Sequence, residues 1–206
     1  MNWSASTQCS AFLGYTLLGQ GSLSDVIPLC QPHADSPAEP LLIFKDADSS
    51  QIEVDFRGSL QEVLARLPTS SAISSNAEAE TVADEKPRVS RGRPKLGVVA
   101  REVTLLPRHW EWLRSQPGGA SVALRKLVEK ASRENAQQDR KRSLQETAYR
   151  FMSVMAASLE GFEEASRALF SADGDKFSRE TASWPADVRT HARRLAGEVF
   201  YEAQQD

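Results

Sequence analysis

Apolar and polar positions divide this chain into stretches of different character. Ser10 to Leu18 is rich in Phe, Leu and Tyr and is broken by Gly14. It reads as a strand, with Gly19-Gln20-Gly21 as the turn that follows. Ser22 to Leu29 fits either a second short strand or a pair of helical turns. Leu41 to Phe44 is an unbroken apolar run, and Ile52, Val54 and Phe56 alternate with Glu53 and Asp55 beyond the turn-rich segment Asp46 to Ser50. This pattern predicts a β-hairpin with one wet face. Ser59, with Glu62 three residues later, forms the signature of a capping box before a short helix whose apolar stripe is Leu60, Val63, Leu64 and Leu67; Pro68 ends it. Residues 8–68 are therefore expected to form a small α+β domain.

Large apolar residues then almost vanish. Thr69 to Lys86 is rich in Ser, Ala and Glu and cannot bury enough surface to offset chain entropy, so residues 69–97 are expected to be a disordered linker, basic at its end. Apolar periodicity returns at Val98 to Leu106, a β-branched run read as a strand. Pro107 suits the first turn of a helix with Trp110 and Leu113 on its apolar face, and Gln116-Pro117-Gly118-Gly119 stops it. Ser121 is the expected N-cap of a second helix bearing Val122, Leu124, Leu127, Val128 and Ala131. Ser132 to Ser143 has no Gly or Pro and is polar all round, which fits an exposed helix or a hinge. From 144 to 203 the period is helical. Leu144, Ala148, Phe151, Met152 and Met155 form one stripe, and Phe162, Ala165 and Leu169 begin another. Trp184-Pro185 opens a helix carrying Val188, Ala192, Leu195 and Val199. The expected class is α+β, mostly α, with a small α+β domain at 8–68, the linker at 69–97, a strand-helix-helix unit at 98–133 and a helical domain at 144–203.

Charge changes this picture more than composition does. The net charge is −3 over 206 residues, yet residues 86–142 hold fifteen Lys or Arg against five acids. That stretch carries +10 and the remainder −13, a segregation that points to a polyanion-binding element beside acidic domains. The plain alternative is a strand and helix pair packed on the N-terminal sheet, with its charges merely solvated.

Two resemblances fall in the basic stretch. Arg91-Gly92-Arg93-Pro94-Lys95, preceded by Pro87-Arg88, resembles the AT-hook. In such a segment Gly removes a side chain from the groove floor, Pro keeps the chain extended, and flanking Arg side chains enter the narrow, negative minor groove of A·T-rich duplex DNA. The order strand, helix, Gly-rich turn, Ser-led helix over 98–133 resembles the ribbon-helix-helix fold of small bacterial repressors. That resemblance implies a homodimer whose strands pair into a ribbon lying in the major groove. Arg101 and Thr104 would be strand residues facing DNA, Ser121 would offer the second helix's N-terminus to a phosphate, and Arg125 and Lys126 would add phosphate contacts. The adjacent Leu105 and Leu106 depart from clean alternation and imply a bulge or a one-residue offset. Arg88, Arg91, Gly92, Arg93, Pro94 and Lys95 complete the candidate DNA-binding set.

Arg91-Gly92-Arg93-Pro94-Lys95-Leu96-Gly97, Leu105-Leu106-Pro107-Arg108-His109-Trp110, Gly118-Gly119-Ala120-Ser121 and Trp184-Pro185-Ala186-Asp187-Val188-Arg189 together resemble a bacterial family, Domain of Unknown Function 2239. The resemblance spans most of the chain from the N-terminal domain onward and implies a bacterial origin, but no activity.

No catalytic or metal site is expected. His33, His109 and His191 are scattered and share no ligand spacing with Cys, Asp or Glu. Cys9 and Cys30 form neither a CxxC pair nor a disulfide framework. Nucleophile-elbow, Walker and dinucleotide patterns are missing. The acids Glu160, Glu163, Glu164, Asp173 and Asp175 read as a solvated helix face. The N-terminus lacks the cationic start and long apolar run of a signal peptide, so a cytoplasmic protein with no membrane segment and no cofactor is expected. The functional expectation is a DNA-binding homodimer, a transcriptional regulator and not an enzyme. The competing expectation is an interaction module whose basic segment docks an acidic partner or RNA.

Overall fold

The computed structural model describes residues 3–34, 36, 39–68 and 101–203. The AT-hook-like stretch and the expected linker lie outside the described residues. In chain order the elements are β1 (Gln8–Leu13), β2 (Thr16–Ser22), α1 (Leu23–Cys30), a 3-10 turn (Gln31–His33), β3 (Leu41–Lys45), α2 (Leu60–Ala65), α3 (Pro107–Ser115), α4 (Gly119–Glu134), α5 (Ala136–Met155), α6 (Phe162–Ser171), α7 (Gly174–Glu180) and α8 (Ala186–Ala203). The class is α+β, mostly α. The chain divides into two compact units, one drawn from residues 1–80 together with 139–206 and the other from 81–138.

The larger unit corrects the expectation of separate domains at 8–68 and 144–203. Its antiparallel sheet, in order β2-β1-β3, is buried on both faces. Strand alternation divides the side chains. Cys9, Ala11 and Ile43 face one way, into a core with Leu23, Val26 and Ile27 of α1 and Val63 of α2. Phe12 and Phe44 face the other way, into a core with Phe151, Met152 and Met155 of α5, Leu169 of α6, Phe177 of α7 and Val188, Ala192 and Val199 of α8. The sheet is thus a middle layer, and the N- and C-terminal segments need each other to cover it. Phe151 sits at the seam, its ring 5.5 Å from Phe12, 5.2 Å from Phe44 and 4.4 Å from His191.

Polar groups fasten the same seam. Asp187, in the first turn of α8, accepts the backbone N–H of Leu17 on the outer strand β2 at 2.9 Å. Gln20 Nε2 donates to Ser10 Oγ at 3.0 Å, and Ser10 donates on to Asp46 at 2.7 Å. The same amide lies 3.4 Å from His191 Nδ1 on α8. Gln145 of α5 caps the end of α6 by donating to the carbonyls of Leu169 and Phe170, both at 3.1 Å. Trp184 is buried and donates its indole N–H to Glu160 O at 2.9 Å.

Several local expectations change. Ser10 to Leu18 is not one strand but the turn of a hairpin, with Gly14 at φ +53° between β1 and β2. Gly19-Gln20-Gly21 is not a turn; it lies inside β2, beside an irregularity in the pairing at Ala11/Phe12. A Cβ on Gly19 would come within 2.5 Å of Leu29 Cδ1 on α1, a contact that a turn of the exposed Leu29 side chain relieves. Ser22 to Leu29 resolves in favour of helix. The capping box is complete, Ser59 Oγ accepting from Glu62 N and Glu62 Oε2 accepting from Ser59 N at 2.7 Å. The 41–56 hairpin pairs only at its closed end, through a single bridge between Phe44 and Gln51. α7 is an element that the apolar periodicity did not announce.

Cys9 and Cys30 are free and fully buried. Burial pushes the Cys9 thiol up to about 12 and the Cys30 thiol up to about 11. Both stay protonated at neutral pH and behave as core residues.

Candidate nucleic-acid interface

The smaller unit is built on α3 and α4. Pro107 opens α3 with no N–H to leave unsatisfied, and Leu106 precedes it in an extended conformation. The helices turn at Gln116-Pro117-Gly118-Gly119. Gly118 adopts φ +86° as the N-cap of α4, a conformation that strains any residue with a side chain. This corrects the expected N-cap: Ser121 is not the cap but an exposed residue in the first turn. α4 ends at Asn135, whose backbone N–H and side-chain amide both donate to Ala131 O, at 2.9 and 2.8 Å. α5 starts one residue later. The stretch 132–143 is therefore helix on both sides of a one-residue break.

The expected strand over 98–106 is described only in part. Residues 101–106 carry no strand pairing among the described residues, and 98–100 lie outside them. Arg101 and Thr104 are both exposed on this segment. Arg125 and Lys126 are exposed on α4, and the Arg125 guanidinium donates to Ser121 O at 3.1 Å. The structure thus places Ser121, Arg125 and Lys126 within the first turns of α4, with Ser121 and Arg125 on one face. It does not bring Arg101 and Thr104 onto a formed ribbon. Arg88, Arg91, Gly92, Arg93, Pro94 and Lys95 lie outside the described residues.

Further cations share these surfaces. Arg108 and Arg114 are exposed on α3, and Lys130 and Arg133 on α4. Lys130 pairs with Glu134 at 3.7 Å and Arg133 with Glu129 at 2.9 Å. Exposed helical pairs of this kind hold little energy and leave the cations available to a stronger anion. Arg101, Arg108, Arg114 and Lys126 have no acidic partner among the described residues. The helical spacing of Lys126, Lys130 and Arg133 was the signal that could have added the last two to the candidate set.

Apolar burial among the described residues of this unit is slight. Leu113 and Ala123 are buried, whereas Val103, Leu106, Trp112, Leu127 and Val128 are exposed, Val128 to 65 %.

The acidic residues of the larger unit behave differently. Glu164 receives Lys176 at 2.7 Å and also pairs with Arg167, and these contacts, the Lys176 hydrogen bond foremost, hold its carboxyl below the usual range. Glu163 lies 3.8 Å from Arg167. Glu163 and Glu164 are thus paired within the patch. Among the described residues no group of three His, Cys, Asp or Glu converges as a metal site, and no helix is long and apolar enough to cross a membrane.

Residues 8–196 match a family model described as an uncharacterized protein conserved in bacteria, DUF2239. The chain belongs to that family. The match runs through the residues of both units, so the two units together are one family feature and not a fusion peculiar to this chain. No curated protein and no solved structure matches the chain.

Proposed function

We propose that this DUF2239 protein is a homodimeric DNA-binding protein acting in transcription regulation, with residues 86–142 as its duplex-binding element. The observation that carries the reading is the cationic surface of α3 and α4. Arg101, Arg108, Arg114, Arg125 and Lys126 are exposed, and no acid on the described residues neutralises them. A surface of this kind gains affinity for the phosphate backbone by releasing condensed counterions. The first turn of α4 adds backbone N–H groups near Ser121, with Arg125 and Lys126 beside them, an arrangement that suits a phosphate. Arg91-Gly92-Arg93-Pro94-Lys95 supplies a second, minor-groove element and with it a preference for A·T-rich duplex.

The homodimer rests on the uncovered apolar surface and the unpaired segment 101–106. Two copies pairing these segments antiparallel would satisfy their main-chain groups and cover Val103 and Leu106. The ribbon so formed is the reading of Arg101 and Thr104 as base-facing residues.

The test is binding of the full chain to A·T-rich and G·C-rich duplexes. Replacing Arg125 and Lys126 together by Ala is expected to weaken binding to both duplexes alike, by about tenfold or more. Replacing Arg91 and Arg93 by Ala is expected to remove the A·T preference. Unchanged binding in both variants contradicts the assignment. Binding to RNA or to an acidic protein, with none to either duplex, replaces it.

A further inference from the structure

One aromatic side chain of the smaller unit stands outside its packing. Trp110 is half-buried and Leu113 is buried, and their three-residue spacing puts them on one face of α3. Trp112 is turned off that face and is 51 % exposed. Among the described residues its indole N–H has no hydrogen-bond partner and its ring no aromatic neighbour. Other aromatic residues of the chain are differently placed. The exposed rings of Tyr149 and Phe170 pack on each other, 5.5 Å apart, and the buried Trp184 has its N–H bonded to Glu160 O.

The surroundings of Trp112 are cationic and polar. Arg108 lies four residues before it, one helical turn away on the same side of α3, exposed and without an acidic partner among the described residues. Glu111, the acid of this helix, is adjacent in sequence and so turned about 100° from the indole. Beyond Trp112, Ser115 Oγ and Gln116 Nε2 both donate to its backbone carbonyl, at 2.7 and 3.3 Å. Those bonds hold both side chains against the end of the helix.

We propose that Trp112 is a stacking platform for one unpaired base of a nucleic acid, with Arg108 on a phosphate of the same strand. The proposal rests on the nucleic-acid reading above and names the form of DNA that this surface prefers. Cations on phosphates hold any nucleic acid. An indole adds affinity only where the face of a base is free, and in an intact duplex each face is covered by the next base pair. Every base has such a face, so this contact is indifferent to sequence. One helical turn, about 5.4 Å, is also the scale that separates a base from its own phosphate. A single strand and a duplex opened at a bulge both present an unpaired base, and the two share this chemistry.

The experiment measures the affinity of the full chain, by fluorescence anisotropy, for a plain duplex, the same duplex with one extra central adenine, and the single strand. The bulged duplex is expected to bind more tightly than the plain one. Trp112→Ala should weaken the bulged duplex and the single strand by about tenfold and the plain duplex by less than about twofold. Trp112→Phe, which keeps a flat ring, should retain most of the affinity. Indole emission should fall when bulged duplex is added to the wild type, and the fall should shrink in Trp112→Phe. The side chain is exposed and Ala favours helix, so the variants fold. Equal losses on all three ligands, or no loss on any, would overturn the stacking platform while duplex binding itself stands. No binding to any of the three would remove the nucleic-acid reading and the platform with it. Conversion of Trp112→Ala from dimer to monomer in sedimentation, with the preference for the bulge unchanged, would overturn the platform by assigning the indole to the second copy.

Discussion

Replacing Phe151 by Ala is expected to unfold the N-terminal sheet and the C-terminal helices together. Phe151 is fully buried and its ring meets Phe12 of β1, Phe44 of β3 and His191 of α8. Truncating a buried Phe costs about 3–5 kcal/mol, from lost transfer free energy and the cavity left behind. For a unit of this size the loss lowers the melting temperature by roughly 10 °C or more. Location matters as much as magnitude. Cys9 and Cys30 lie in the other core, across the sheet from Phe151, and are wholly shielded from solvent. Their rate of reaction with a thiol reagent, measured across a denaturant series, reports that distant layer. In the variant the thiols should become reactive at the same lower denaturant concentration at which helical ellipticity is lost. Thiol protection that persists after the helices have melted would mean two independent domains, as periodicity alone suggested.

His191 gives the second large effect, through pH. It is only 4 % exposed, packed against the rings of Phe12 and Phe151, with Gln20 near one ring nitrogen and Arg194 near the other. Burial, with a smaller contribution from the Arg194 charge, lowers its pKa from 6.5 to about 4. The neutral imidazole is therefore the form that the fold accepts. Above pH 6.5 neither the folded nor the unfolded state is protonated at this residue, and its full contribution is present. Between 6.5 and 4 the unfolded chain takes up a proton that the folded chain refuses, so stability falls as the pH falls. Below 4 both states are protonated and the loss is complete, at about 3 kcal/mol. Urea unfolding of wild type and His191→Gln from pH 7.5 to 4 measures the difference directly. The wild-type curve should drop relative to the variant through that window; parallel curves would place a solvated, ordinary histidine at 191.

What could be read from the sequence follows from how local each signal is. Ser59 and Glu62 announced their capping box because both halves lie within one helical turn. The stripes of α5, α6 and α8 were visible because helical burial repeats at a fixed period. The three-layer packing was not visible. Cys9, Ala11 and Ile43 face one core while Phe12 and Phe44 face another, and a strand buried on both faces shows only as an apolar run, with nothing to say what covers it. Phe12 and Phe151 meet across 139 positions of chain. Gly19-Gln20-Gly21 has turn composition, yet it lies inside β2 paired with Cys9, Ser10 and Ala11 of β1, partners that local composition cannot name. The hairpin expected at 41–56 pairs no further than Ile52, and its alternation of apolar and polar residues does not mark where the ladder stops.

The candidate interface was legible as charge and less so as geometry. The cations of 86–142 needed only counting. Ser121 looked like an N-cap by residue type, yet the left-handed Gly118 starts the helix three residues earlier. Val98 to Leu106 has strand composition, but a strand needs a partner, and the described residues of one chain supply none. The proposed second copy is the physical answer to that composition.

The salt dependence of duplex binding tests the central claim most directly. Each phosphate neutralised on duplex DNA contributes a slope of about −0.9 to log affinity against log salt, so contacts from Arg108, Arg114, Arg125 and Lys126 give about −4. Steeper slopes follow as Arg91, Arg93 and Lys95 also engage. The expected result is tight binding of the full chain near 50 mM salt that weakens by about two or more orders of magnitude by 200 mM. Absence of duplex binding at the low-salt end, or an affinity that salt does not change, would contradict a phosphate-reading surface on α3 and α4.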